Sequence, residues 1–411
     1  MVMTRSQSAR AADADAPSGA PAAQSASPQS PQDGEEAPAF RYLTAPGVRR
    51  ILEYKYSGSD ASLLYNYVIS PLAQWLVDHV VPPRVAPNTI TISGLGLVVL
   101  SHLVLLWYAP NMSEDAPRWA YANAGVSLLL YQILDVADGK QARKTGNSSP
   151  LGLLFDHGCD ALNVLISACT FASTIKLGAS YWSLLLLLAP AQVFFMATWE
   201  EFYTGTLALP IINGPNEGLA IMYSVYIGTA IVGPDVWLQP NYFFPSMPNN
   251  HVFVLFTFAS AMCQCLLSVI ITVRSLERKA RDGMAALLGI TPFGALMALS
   301  ALWVVSSPSD IFTDHPRLIM WTVGLHCAKM CMHVMLAHMS DEPYWLLRKT
   351  FSIQLAVSFL LVVGIVPLGH EKAVVELFFV LALAAYSHMI YFVVTELATV
   401  LDIHVFKVKQ G

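Results

Sequence analysis

Residues 134–163 read LDVADGKQARKTGNSSPLGLLFDHGCDALN. One apolar run, 119–143, leads into this stretch, and a second, 150–174, carries on from it. Each is about 20 residues or more, long enough to cross a bilayer as a helix. Four carboxylates, Asp135, Asp138, Asp156 and Asp160, stand where the two runs meet. Charges within apolar spans are expensive and mark function. At about 100° per residue, Asp135, Asp138, Gly139, Ala142 and Arg143 fall within roughly 140° of one another around the first helix. Gly152, Asp156 and Asp160, spaced four apart, form a stripe on the second. The loop between them is short and polar, so the helices are antiparallel neighbours whose stripes can face each other.

Four carboxylates converging where the dielectric is low repel unless something neutralises them. Divalent cations do so, and a ligand set made only of oxygens points to Mg²⁺ or Mn²⁺. Such ions also take phosphate oxygens. Gly139 and Gly152 remove side chains where a substrate or another helix comes close, and Arg143 can pair bidentately with phosphate. One or two aspartates at a span end would read as solvated helix-end charges. Four at helical spacing, with two glycines and an arginine, do not.

Outward from this stretch the chain is apolar throughout. It is 55% hydrophobic and only 12% charged, against roughly a quarter charged in soluble domains. From Asn88 there are ten segments long enough to span, at 88–108, 119–143, 150–174, 182–203, 216–232, 251–273, 284–305, 317–339, 348–368 and 372–402. The expected fold is therefore an all-α integral membrane protein of about ten transmembrane helices within 88–402. Residues 48–81 mix charge with large apolar side chains and fit an amphipathic helix in the membrane interface. Residues 1–40, rich in Ala, Ser, Pro and Gln, cannot build a core and are expected to be a disordered cytosolic tail. They lack the apolar region of a secretory signal, and their acidic residues argue against a transit peptide.

Basic residues set the orientation. With the tail cytosolic, Lys140, Arg143, Lys144, Arg274, Arg278, Lys279, Arg281, Arg348, Lys349, Lys407 and Lys409 share its side. Only Arg118, Lys176, Arg317 and Lys372 fall opposite. That asymmetry predicts an even number of spans with both termini and the acidic motif facing the cytosol. There is no basic block of the kind that binds nucleic acid. The six cysteines all lie in apolar stretches and read as packing residues.

The stretch matches the pattern D-x2-D-G-x2-A-R-x8-G-x3-D-x3-D at all eight fixed positions: Asp135, Asp138, Gly139, Ala142, Arg143, Gly152, Asp156 and Asp160. It resembles the CDP-alcohol phosphotransferase family. YKYSGSDASLL (54–64), APNTITISGL (86–95), TWEEFYTGTL (198–207), NGPNEGL (213–219) and AHMS (337–340) look like the eukaryotic choline/ethanolamine phosphotransferase branch, a likeness covering most of residues 50–400. The resemblance implies that the four aspartates hold metal ions clamping the diphosphate of CDP-choline or CDP-ethanolamine. The hydroxyl of diacylglycerol then attacks and CMP leaves. It further implies an endoplasmic reticulum or Golgi membrane, contact with membrane lipids, and a homodimer.

Candidates around the aspartates complete the expectation. A general base takes the acceptor's proton, and His157, beside Asp156, suits that role. Asp160 is its rival, and Glu217 can orient His157 or act itself. Asn88 and Thr91 follow Pro87 at a helix start; Asn suits an N-cap there, and the resemblance adds a nucleotide contact. Glu200 and Glu201 either attract a cationic headgroup or are ordinary interfacial charges. The alternatives are a phosphatidyltransferase using CDP-diacylglycerol with a soluble alcohol, or, in another class, a transporter with an intramembrane cation site.

Overall fold

The computed structural model describes residues 40–279, 282–307, 309–344, 349–366 and 368–408. The expected tail up to residue 39 lies outside the described residues, as do Arg281, Arg348 and Lys409. The chain is built almost wholly of helices. α1 (Ala45–Glu53), a short strand β1 (Gly58–Asp60) and α2 (Ser70–His79) precede the long elements. These are α3 (Pro87–Tyr108), α4 (Arg118–Thr145), α5 (Pro150–Thr174) and α6 (Tyr181–Thr204), then strand β2 (Leu207–Leu209) and α7 (Leu219–Val232). α8 (Asn249–Arg278), α9 (Gly283–Leu288), α10 (Thr291–Ser306), α11 (Ile311–Asp314), α12 (Pro316–Ser340), α13 (Lys349–Val362) and α14 (Glu371–Leu401) follow.

Each of the ten apolar segments contains helix. Among the described residues six helical stretches are long and apolar enough to cross a membrane: α3, α6, α8, Gly283–Ser306, α12 and α14. α4 and α5 carry the aspartates, while α7 and α13 have 14 residues each, short of the roughly 20 a bilayer needs. Two expectations change in detail. The segment 284–305 is two helices, α9 and α10, parted at Gly289–Ile290. The segment 48–81 is not one amphipathic helix: Ser57-Gly58-Ser59 favours helix poorly, and residues 58–60 pair as a parallel strand with 207–209.

Hydrogen bonds at the helix ends show the up-and-down course. At one end, Asn88 Nδ2 donates to the Val405 carbonyl (2.9 Å), and Lys279 Nζ donates to the Thr204 carbonyl (3.2 Å). At the other, Arg118 reaches the Ile231 carbonyl, Arg317 the Ala109 and Pro110 carbonyls, and Lys176 pairs with Asp115 and Asp235. The acidic motif sits at the first end.

α12 is buried along nearly its whole length and packs on α5 and α6. Gly324 permits this approach: a Cβ there would lie 2.3 Å from Leu165 Cδ1. Outside this centre, α8 exposes Leu255, Phe256, Leu266, Leu267, Ile270 and Ile271, and α14 exposes Leu377, Val380, Leu381 and Leu383. Continuous apolar faces of this extent belong against lipid rather than water, and the chain is a multi-pass membrane protein. Five cysteines are buried as packing residues; Cys263 is exposed.

Candidate active site

Local signals turn the chain sharply between α4 and α5. Gly146 ends α4 in the left-handed region (φ 67°), its N–H bonded to the carbonyls of Ala142 and Arg143, a conformation glycine adopts at least cost. Ser149 caps α5, accepting from the Gly152 N–H at 3.1 Å, and Pro150 occupies the first turn, where its missing N–H costs nothing. The chain reverses there, but α4 and α5 pack far more on α3 than on each other. They are not the closely packed neighbours that the short loop implies, and the aspartates approach one another only through their side chains.

One carboxylate oxygen each of Asp135, Asp156 and Asp160 lies within 4.8 Å of the others. Asp135 Oδ1 and Asp156 Oδ1 are buried with no hydrogen-bond donor among the described residues. Asp160 Oδ1 accepts from the Tyr131 hydroxyl at 2.5 Å. Asp138, 7% exposed, is not among the three; its Oδ2 accepts from the Thr91 hydroxyl. Orphaned buried carboxylate oxygens are costly unless a cation meets them, and an all-oxygen set of this kind fits Mg²⁺ or Mn²⁺.

Of the other expected residues, His157 stands 4.0 Å from Asp156 and Thr91 donates to Asp138. A Cβ on Gly152 would come no nearer than 3.5 Å to Ser149 Oγ and 3.7 Å to Asn88 Oδ1. On Gly139 it would meet only the Arg143 guanidinium, at 3.6 Å. Neither glycine is required by packing of the protein on itself. Glycine inside a helix costs roughly 0.5–1 kcal/mol relative to alanine, and both positions have room for a larger side chain. Asn88 is not the N-cap, which is Ala86 with Pro87 in the first turn. Its amide instead ties α3 to the C-terminal segment. Ala142 contributes its carbonyl to the end of α4.

His157 Nδ1 stands 3.1 Å from the Leu153 carbonyl and 4.0 Å from Asp156 Oδ2. Donation from Nδ1 to that carbonyl leaves Nε2 free to accept a proton. Glu217 has other partners: Oε1 accepts from the Ser62 hydroxyl (2.5 Å) and Oε2 from the Asn213 N–H (3.0 Å). It closes the turn in which Asn213 caps Gly214–Gly218. Gln132 on α4 donates to the Pro215 and Asn216 carbonyls, and Asn216 donates to Asp60. Glu217 thus braces the loop beside the aspartates to residues 60–62.

Three of these partnerships are absent from the sequence reading: Tyr131 with Asp160, Thr91 with Asp138, and Ser62 with Glu217. Tyr131 carried a signal, standing one helical turn before Asp135 on the same stripe. Nothing local marked Ser62.

The comparisons with known proteins agree with this geometry. The family model described as CDP-alcohol phosphatidyltransferase matches residues 84–231. Choline/ethanolaminephosphotransferase 2 of Arabidopsis thaliana is 34% identical over 390 residues, covering 90% of this chain and 99% of the relative. Choline/ethanolaminephosphotransferase 1 of Saccharomyces cerevisiae is 29% identical over 385 residues, 89% and 97% of the two chains. Cholinephosphotransferase 1 of Xenopus laevis is 31% identical over 308 residues, 73% and 75%. The matching family model and these relatives make the chain a membrane phosphotransferase. The chain belongs to the CDP-alcohol phosphotransferase family, and its relatives place it among the choline/ethanolamine phosphotransferases.

Proposed function

We propose that this enzyme transfers phosphocholine or phosphoethanolamine from the CDP-alcohol to diacylglycerol, giving phosphatidylcholine or phosphatidylethanolamine and CMP. The observation that carries the reading is the meeting of Asp135, Asp156 and Asp160 within 4.8 Å, two of their oxygens without donors. In the reaction the diacylglycerol hydroxyl oxygen bonds to the phosphorus bearing the alcohol. The phosphoanhydride P–O bond to CMP breaks, and the hydroxyl proton passes to a base.

Asp135, Asp138, Asp156 and Asp160 would hold Mg²⁺ or Mn²⁺. When bound, such a cation neutralises the diphosphate and stabilises charge on the attacking and leaving oxygens. Tyr131 and Thr91 fix the carboxylates of Asp160 and Asp138 by donating to them. Gly139 and Gly152 leave room for the nucleotide beside Arg143 and Asn88. His157 is the base we favour, since it is a side chain of the site with a ring nitrogen free to accept. Asp160 is already committed to Tyr131. Glu217 acts by holding its loop. The same reading has ten spans, residues 48–81 at the interface, both termini and the site cytosolic, an endoplasmic reticulum or Golgi membrane, and a homodimer.

The test is CMP release by the purified chain in diacylglycerol micelles, with the lipid product identified by mass spectrometry. EDTA should stop turnover, and Mg²⁺ or Mn²⁺ should restore it. Ca²⁺, with its larger and more flexible shell, should serve poorly. A folded Asp138→Asn variant should be nearly inactive. Full activity after chelation, or in Asp138→Asn, would refute the metal site. A product formed from CDP-diacylglycerol and a soluble alcohol would reassign the lipid substrate.

A further inference from the structure

At the end of α6 nearest the acidic motif, Glu201 is 1% exposed, and both its carboxylate oxygens lack a hydrogen-bond partner among the described residues. An interfacial charge would point into water; this one does not. Glu200 next to it differs, because Ser268 hydrogen-bonds to its carboxylate. The nearest basic group to Glu201 is His338 Nε2, at 3.8 Å, beyond hydrogen-bond reach. A second orphan stands beside the pair. The Tyr54 hydroxyl is buried with no hydrogen-bond partner among the described residues, and its ring meets the His338 ring edge-on at 5.7 Å.

The chain's own topology builds this pocket. Pairing of Gly58–Asp60 with Leu207–Leu209 draws residues 54–60 over the end of α6. α6 also meets the acidic motif: Phe194, about two turns before Glu201, packs beside the His157 ring with centroids 6.5 Å apart. The Tyr56 phenol is pushed up to about 12, first by burial and then by the charges of Glu201 and Asp156. His338 in turn lies within electrostatic range of His157.

We propose that Glu201, with Tyr54 and His338, forms the subsite that takes the alkylammonium end of the transferred headgroup. The proposal rests on the function proposed above and assigns the part of the substrate that the aspartates do not touch. A carboxylate beside aromatic rings is the chemistry that recognises an ammonium cation, and an unpartnered buried carboxylate needs a cation. In phosphocholine and phosphoethanolamine two carbons separate nitrogen from phosphate oxygen. Two neighbouring sites, one for phosphate and one for cation, are what so short a group requires. A primary ammonium can donate to both Glu201 oxygens and to the Tyr54 oxygen; a quaternary one is held by charge and ring faces alone.

The experiment compares CDP-choline, CDP-ethanolamine and the neutral isostere CDP-3,3-dimethylbutanol as substrates of wild type, Glu201→Gln and Tyr54→Phe, with CMP inhibition measured alongside. Wild type should strongly prefer the two charged substrates. Glu201→Gln should raise KM for both by about 10²-fold, as for removing one partner of a buried charge pair, while KM for the isostere and inhibition by CMP stay near wild type. Tyr54→Phe should weaken CDP-ethanolamine more than CDP-choline. Wild type using the isostere as well as CDP-choline overturns the subsite without any variant. So does a Glu201→Gln loss equal on charged and neutral substrates. Wild type releasing CMP from none of the three overturns the function itself, and the subsite with it.

Discussion

Replacing Tyr131 by Phe removes one oxygen from the site and nothing else. The ring is 2% exposed and keeps its volume, so the fold should survive. What is lost is the 2.5 Å bond that fixes Asp160. A hydrogen bond to a charged group contributes about 1.5–3 kcal/mol, and each 1.4 kcal/mol is about tenfold in an equilibrium constant. That range agrees with the roughly 10- to 100-fold loss of metal affinity seen when a group orienting a metal ligand is removed. The assay is the initial rate of CMP release against free Mg²⁺ or Mn²⁺. Tyr131→Phe should need about 10- to 100-fold more metal for half its maximal rate and should recover much of that rate at saturation. Tyr121→Phe is the control, because its hydroxyl accepts from the Ala116 N–H at the far end of α4; its metal curve should not move. A folded Tyr131→Phe protein with the wild-type curve would show that Asp160 needs no orienting partner, and that the geometry of the trio has been misread.

His157→Ala should lower kcat by roughly 10²–10⁴ with CDP-alcohol binding near normal, as for a lost general base. Asp160→Asn should weaken metal binding and rate together, and calorimetry beside initial rates separates the two. If His157→Ala keeps its kcat while Asp160→Asn binds metal but fails in turnover, the base is Asp160. Glu217→Gln should cost less than His157→Ala and act through the Asn213–Gly218 loop, which limited proteolysis would report. Gly152→Ala should keep or gain about 0.5–1 kcal/mol of stability by removing a helical glycine, yet lose CDP-alcohol binding. A variant as stable and as active as wild type would mean that nothing approaches Gly152.

The acidic motif was legible because its information is local. Helical spacing puts Asp156 with Asp160, and a short reversing loop brings Asp135 to them; Asp138 turns instead to Thr91. The apolar segments were legible for the same reason, since their lengths report a bilayer and need no partner. Long-range bonds were not. Ser62 reaches Glu217 across 155 positions with no periodicity to mark it, and while helical spacing puts Tyr131 on the stripe of Asp135, it does not choose Asp160, 29 positions away, as the partner. Residues 48–81 misled because amphipathic composition fits any half-buried segment. Pairing with 207–209 decided the backbone, and that partner lies on the far side of four long helices.

Residues 41–57 form an amino-terminal belt tied to later parts of the chain, with a consequence for how the protein is made. Glu396 accepts from the backbone N–H groups of Arg41, Tyr42 and Leu43, across as many as 355 positions. Thr44 donates to Glu342, and Ser57 meets Thr206 across 149 positions. None of these contacts can form before its partner has left the ribosome. At about 5–20 residues per second, the first residues of the belt wait tens of seconds for Glu396. The helices bearing the aspartates are complete early in that interval, while the tie to Glu396 forms last. A nascent chain arrested before α14 thus carries both aspartate helices with the tie to Glu396 still unmade.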